Sequence, residues 1–66
     1  MSPERFAMKL KRLREARGLT QEVLARKAGV SRAYLARLEM GRHDPPLSRV
    51  RKLAKALRVK ARELVE

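Results

Sequence analysis

Residues 20–41, TQEVLARKAGVSRAYLARLEMG, decide the fold because they carry the same helix start signal twice. Thr20 and Ser31 each place a hydroxyl group before a helical stretch, where it can accept a hydrogen bond from the free N–H groups of the first turn. The apolar residue before each hydroxyl is expected to pack on the fourth residue of its helix. Gly29 lies between the two stretches and can adopt positive φ, which lets the chain turn sharply. This stretch therefore predicts a helix-turn-helix.

The second helix of this motif, predicted over Arg32–Met40, has an apolar side and a polar side when its residues are spaced at about 100°. Its outward face is predicted to carry Arg32, Ala33, Ala36, Arg37 and Met40. Arginine can donate two hydrogen bonds to guanine O6 and N7 in the major groove, and alanine can contact a thymine methyl group. We therefore expect contacts to DNA bases from Arg32, Ala33, Ala36 and Arg37.

The composition limits the classes of function. The chain has 66 residues, no cysteine and a formal net charge of +11. Its length predicts a single domain over residues 1–66, without a disulfide framework or a zinc site. The charge predicts attraction to polyanions, with nucleic acid as the leading partner; a charged, solvated surface of the kind found in thermophiles is the alternative. No apolar run is long enough for a membrane span or a signal peptide, so we expect a soluble, cytoplasmic protein that binds no membrane.

Further helices are predicted on both sides of the motif. Ser2, Pro3 and Glu4 supply a cap, a proline and an acid at the start of the first helix. An apolar stripe at helical spacing follows, formed by Phe6, Leu10 and Leu13. Pro45 and Pro46 cannot continue a helix. Beyond them, the stripe of a fourth helix is formed by Leu47, Val50, Leu53, Ala54 and Leu57. The pattern predicts an all-α fold of four to five helices.

Two segments carry a resemblance to a known family. LREARGLTQEVLARKAGVSRAYLARLEMGRHDPP, residues 13–46, and LAKALRV, residues 53–59, resemble the phage repressors and Cro proteins, often called the Xre family. The resemblance covers nearly the whole chain and implies a compact, lambda repressor-like DNA-binding domain. It implies base contacts from Arg32, Ala33 and Arg37, since these fall at the main base-reading positions of the family.

The resemblance also implies contacts to the DNA backbone. Gln21 starts the first helix of the motif and Arg42 follows its last glycine, and family members contact phosphates from both positions. From the residues themselves, Ser31, Tyr34 and His43 are further candidates for phosphate contacts. Ser31 is also the predicted helix cap. The Tyr34 hydroxyl is expected to reach either water or a phosphate, and the alternative for His43 is a solvated side chain. No metal ligands accompany this single histidine, so we expect neither a metal nor a cofactor.

Two features bear on how the helices are held together. Arg14 and Glu39 occupy positions at which some members of the family form a partly buried ion pair. At the other end of the chain, Arg58 stands where many members of the family have glycine, and Lys60 where they have a small hydroxyl cap. The end of the fourth helix and the start of a fifth are therefore both less well specified. The apolar edge beyond them, which includes Leu64, predicts either a two-fold homodimer or packing back onto the first and fourth helices.

The function predicted from these features is that of a sequence-specific, double-stranded DNA-binding transcriptional regulator. It is expected to act as a repressor that reads an inverted repeat through the major groove. The alternative is an antitoxin-type interaction module that binds a protein partner as well as DNA. Single-stranded RNA and membrane surfaces are disfavoured because Phe6 and Tyr34 are the only aromatic residues. An enzyme is disfavoured because the sequence has no cluster of catalytic side chains.

Overall fold

The computed structural model describes residues 2–66, and this part of the chain contains five α-helices. They are α1 (Pro3–Ala16), α2 (Gln21–Ala28), α3 (Arg32–Glu39), α4 (Leu47–Leu57) and α5 (Arg62–Val65). Helices α2 and α3, with the turn between them, form the predicted helix-turn-helix. The prediction of an all-α, lambda repressor-like fold is confirmed.

The predicted caps define where the first three helices begin. The Thr20 hydroxyl accepts a hydrogen bond from the Val23 N–H at 3.1 Å, and the Ser31 hydroxyl accepts one from the Tyr34 N–H at 3.0 Å. Ser2 caps α1 in the same way. Because each cap satisfies a free donor of the first turn, it fixes the start of its helix locally.

One core joins all five helices. It is formed by Phe6, Leu10, Leu24, Ala25, Ala28, Leu35, Leu38, Val50, Leu53, Ala54, Leu57 and Leu64. The large side chains in this set are almost fully removed from water, and each contributes about 1.5–3 kcal/mol relative to an exposed position. Leu47 departs from the predicted stripe of α4, since it is 55% exposed at the first residue of that helix.

The first four helices end in the same hydrogen-bonding pattern, known as the Schellman motif. A residue with positive φ follows each helix, and the N–H of the next residue bonds to a carbonyl five positions back. Glycine takes the positive φ after α1, α2 and α3, whereas Arg58 takes it after α4 with φ of 60°. The replacement of glycine seen in the sequence therefore leaves the helix end intact.

The fifth helix starts without a hydroxyl cap. The Glu63 carboxylate accepts a hydrogen bond from the Lys60 N–H at 2.7 Å, the bond by which an acid in the first turn ties back to the residue three positions earlier. Leu64 is fully buried in the same core as Phe6 and Leu57. The sequence left two possibilities for the apolar edge, and Leu64 follows the second of them, packing back onto the first and fourth helices. Val65 is 37% exposed at the margin.

Candidate nucleic-acid interface

Helix α3 presents its polar side to solvent because its apolar side is fully used in the core. Leu35 and Leu38 are both 0% exposed, which fixes the rotation of the helix about its axis. The opposite side carries Arg32, Ala33, Ala36 and Arg37, here called the reading face. Ala36 is half-buried and the other three residues are exposed. The four candidates for base contacts thus lie together, with two guanidinium groups beside a floor of two alanines.

The angle between α1 and α3 is held by a partly buried ion pair. Arg14 Nε lies 2.6 Å from Glu39 Oε2, and Arg14 Nη2 donates to Glu39 Oε1 at 3.0 Å. Arg14 Nη1 donates to the backbone carbonyl of Leu19 at 2.8 Å. Hydrogen bonding to Glu39 raises the pKa of Arg14, while partial burial opposes this rise. The pair fixes α3 against α1 and against the turn that follows α1.

Gln21 joins this network, which the sequence did not indicate. Its Nε2 donates to Glu39 Oε1 at 3.1 Å, so the side chain expected at a phosphate is bonded inside the protein. Gln21 is also the first residue of α2, and its backbone N–H therefore has no partner within the helix. A helix N-terminus of this kind attracts anions. The backbone of Gln21 offers a donor to a phosphate even with the side chain bound to Glu39.

The other candidates for phosphate contacts lie around the two ends of α3. The Ser31 hydroxyl oxygen accepts the capping bond, which leaves its O–H free to donate. Arg42 is exposed directly after Gly41. In the three other Schellman motifs an apolar residue, Leu19, Val30 or Val59, holds the position of Arg42. The end of α3 thus carries a cation where the other helices keep an apolar contact.

His43 lies beside α3 and contacts two of its side chains. Its Nε2 accepts a hydrogen bond from Arg37 Nε at 3.1 Å, and its ring lies 6.0 Å from the Tyr34 ring, centroid to centroid. The guanidinium of Arg49 lies 4.5 Å from the centroid of the Tyr34 ring, a cation–π contact. Arg49, in the first turn of α4, was missed in the sequence. Its only signal there is that α4 contains basic residues and no acidic ones.

Basic residues also line a second surface, a groove between the ends of α2 and α4. They are Arg26, Lys27, Lys52, Lys55 and Arg58. Several of them lie in the last turn of a helix, where cations complement the helix dipole. This position accounts for their placement without a ligand, and none of them lies on α3.

Residues 2–66 contain no group of three or more His, Asp or Glu side chains that could hold a metal ion. In the same range, no helix is both long and apolar enough to cross a membrane.

Comparison with known proteins places this geometry in a family. A family described as helix-turn-helix matches residues 10–64. The chain belongs to this family. An uncharacterised HTH-type transcriptional regulator of Sinorhizobium fredii is 46% identical over 54 residues, which cover 82% of this chain and 70% of that protein. The immunity repressor of Bacillus phage phi105 is 42% identical over 57 residues, covering 86% of this chain but only 40% of the repressor.

A solved structure supports the same assignment. The restriction-modification controller protein C.AhdI of Aeromonas hydrophila superimposes with a TM-score of 0.91 at 40% sequence identity, over 94% of each chain. The protein is therefore a DNA-binding transcriptional regulator of the helix-turn-helix, lambda repressor-like class. This family is defined by DNA binding and not by catalysis.

Proposed function

We propose that the protein is a repressor that inserts α3 into the major groove of an inverted-repeat operator. The observation that carries the proposal is the reading face, on which Arg32 and Arg37 flank two alanines on an exposed side of the helix. An arginine can donate two hydrogen bonds to guanine, and an alanine can contact a thymine methyl group. Repression follows from occupation of promoter DNA by the bound protein.

In this proposal, bases and phosphates are contacted by different residues. The reading face, formed by Arg32, Ala33, Ala36 and Arg37, specifies the sequence. The phosphates are contacted by Gln21, Ser31, Tyr34, Arg42 and His43. Such contacts to the DNA phosphates orient the protein on the duplex without distinguishing one sequence from another. For Gln21 the backbone N–H is the contacting group, because the side chain is bonded to Glu39.

The inverted repeat requires two copies of the chain. Two half-sites read from one side of the duplex lie about 34–36 Å apart, one helical turn. We propose that the copies meet through the C-terminal end, where exposed Val65 adjoins Arg5, Lys9 and Glu66 along one groove. Sedimentation across a range of concentrations tests this: a monomer mass at every concentration, with and without operator DNA, contradicts the dimer. We further propose that this DNA-binding regulator acts in the cytoplasm.

The decisive experiment is selection of binding sites from randomised duplex DNA. The affinities of the selected sites are then compared with those of a scrambled duplex across a salt series. We expect enrichment of a short inverted repeat that binds much more tightly than the scrambled duplex at every salt concentration. If no sequence is enriched, and binding only weakens as salt rises, the positive charge alone attracts DNA and the repressor proposal fails.

A second candidate is an antitoxin-type module that binds a protein partner as well as DNA. Exposed large apolar side chains favour it, since Met8 and Met40 are each 62% exposed and Leu47 is 55% exposed. Co-expression with the product of the neighbouring gene tests this candidate. A stable complex that survives purification in high salt supports it, because electrostatic contacts are screened under those conditions.

A further inference from the structure

The bond between Arg37 and His43 leaves the recognition groups of the arginine free. A guanidinium has five N–H donors, one on Nε and four on the two Nη atoms. Arg37 gives only the Nε–H to His43, at 3.1 Å. The two Nη atoms, which can form the paired bonds to guanine O6 and N7, remain available. His43 therefore holds the Arg37 side chain through Nε and leaves both Nη groups for a base.

His43 is itself held from the side of α4. Arg49 lies 4.5 Å from the centroid of the Tyr34 ring, and the Tyr34 ring lies 6.0 Å from that of His43 at an interplanar angle of 31°. Arg49, Tyr34, His43 and Arg37 thus form a continuous row of side chains, here called the stacked row. It connects the first turn of α4 with the reading face. The loop that carries His43 is stiffened by Pro45, which is buried, and by Pro46.

We propose that His43 is a positioning residue for base recognition by Arg37. This inference rests on the proposed function, in which Arg37 contacts a base. An exposed arginine samples many rotamers, and immobilising it on binding weakens affinity by about 2- to 10-fold. The stacked row restricts Arg37 before DNA arrives, so most of this loss is avoided. His43 thereby contributes to sequence specificity without contacting the base itself.

The hydrogen bond from Arg37 also determines which ring nitrogen of neutral His43 carries the proton. Because Nε2 accepts the hydrogen bond from Arg37, the ring proton of neutral His43 lies on Nδ1. Nδ1–H is then the group left to donate to a phosphate. A histidine that acted only through a phosphate would weaken binding to all sequences alike, whereas a positioning residue acts at one base pair.

A double-mutant cycle tests the proposal. The variants are R37A, H43A, the double variant, and H43Q, whose side-chain oxygen can still accept from Arg37 Nε. Each is titrated with the selected site, with that site changed at the base pair that R37A no longer distinguishes, and with scrambled duplex. D44A, a change at the next exposed loop residue, is the matched control, and circular dichroism verifies that every variant is folded.

We expect H43A to weaken binding to the selected site by about 2- to 10-fold more than binding to the other two duplexes, on which only the phosphate contact of His43 is lost. H43Q should retain most of the affinity, and D44A should keep the base preference. H43A should cost less in the R37A background than in the parent, because only the phosphate contact of His43 remains to be lost. Additive losses in the double variant, or an equal loss of H43A on all three duplexes, would overturn the positioning role. If R37A itself loses affinity equally on all duplexes, the base contact in the proposed function fails instead.

Discussion

Within residues 2–66, two arginines donate their Nε–H to another side chain, and they differ in which of their other nitrogens remain free. Arg14 is 11% exposed and gives Nε, Nη1 and Nη2 to Glu39 and the Leu19 carbonyl. Arg37 is exposed and gives only Nε, to His43. All three nitrogens of Arg14 bond within the protein, while Arg37 keeps two nitrogens for a ligand. The difference separates an arginine that fixes the scaffold from one that we propose reads DNA.

The partners of the two arginines also differ, in both charge and exposure. Glu39 is a carboxylate, and its side chain is only 4% exposed, so the pair with Arg14 is a charge-assisted contact largely shielded from water. His43 is exposed and accepts as a neutral ring. A bond to a neutral acceptor in water restricts Arg37 without competing strongly with guanine. We therefore expect changes at Glu39 to act on stability and changes at Arg37 to act on binding.

The largest effect is expected from E39A. It leaves the Arg14 charge partly buried without a partner, which costs about 3–5 kcal/mol in fully buried pairs; the lower end applies because Arg14 keeps some exposure. Urea denaturation measures the free energy of unfolding. E15A, which removes an exposed acid from the same helix as Arg14, is the control and should change stability by less than about 0.5 kcal/mol.

A companion variant separates the pair from its packing. Replacing both partners, in R14M/E39L, removes the stranded charge and should recover much of the stability lost in E39A. A loss of less than about 1 kcal/mol in E39A would place this pair with ordinary surface ion pairs and remove the contrast with Arg37.

The next effect is expected from R37A, and it concerns binding alone. Loss of the paired bonds to a guanine should weaken binding to the selected site by about 1–3 kcal/mol and relax the preference at one base pair. The free energy of unfolding should stay within about 0.5 kcal/mol of the parent, because Arg37 is exposed. R26A, an equal change of charge on α2, controls for the general loss of attraction. A large loss of stability in R37A would show that this arginine belongs to the scaffold as Arg14 does.

Arg42 provides an intermediate case, since it should act on binding without acting on specificity. R42A removes one proposed phosphate contact, so the slope of log K against log salt should become shallower by about 0.9, with equal weakening on selected and scrambled duplexes. Titrations at four or more salt concentrations measure the slope. A change in the preferred base sequence would move Arg42 from the phosphate contacts to the reading face.

The helix ends show how much of the fold could be predicted from the sequence. The caps at Thr20 and Ser31 and the turn at Gly29 are local signals, and each acts within a few residues, so the motif was predicted with its correct position. The fate of the C-terminal edge was left open. Whether Leu64 enters the core depends on the path of the chain after Arg58, and neither a glycine nor a hydroxyl cap marks that path.

Only part of the candidate interface could be predicted from the sequence, for a related reason. The reading face follows from helical spacing alone, because the buried Leu35 and Leu38 determine which side of α3 faces outward. The bond from Gln21 to Glu39 and the contact of Arg49 with Tyr34 join residues of different helices. Such contacts depend on the packing of α2 and α4 against α3, and no local pattern in the sequence records them.

The smallest effect is expected at Arg58, an arginine whose backbone has a positive φ. Its φ of 60° costs about 1–2 kcal/mol for a residue with a Cβ, and glycine removes this strain but loses about 0.5–1 kcal/mol of conformational entropy on folding. R58G should therefore raise the free energy of unfolding by about 0.5 kcal/mol. The reverse change, G18R, should lower it by a similar amount, because a Cβ at Gly18 meets no atom within 4 Å and only the φ of +69° is unfavourable.

Thermal and urea denaturation of R58G and G18R, measured together, make this small difference visible. Arg58 also lines the basic groove between α2 and α4, so R58G removes one positive charge that lies away from α3. Its affinity for scrambled duplex should fall no more than that of R26A, and its preferred sequence should not change. If R58G instead destabilises the protein, the Arg58 side chain contributes packing that outweighs its backbone strain. The replacement of glycine in the family pattern would then be a stabilising feature of this chain.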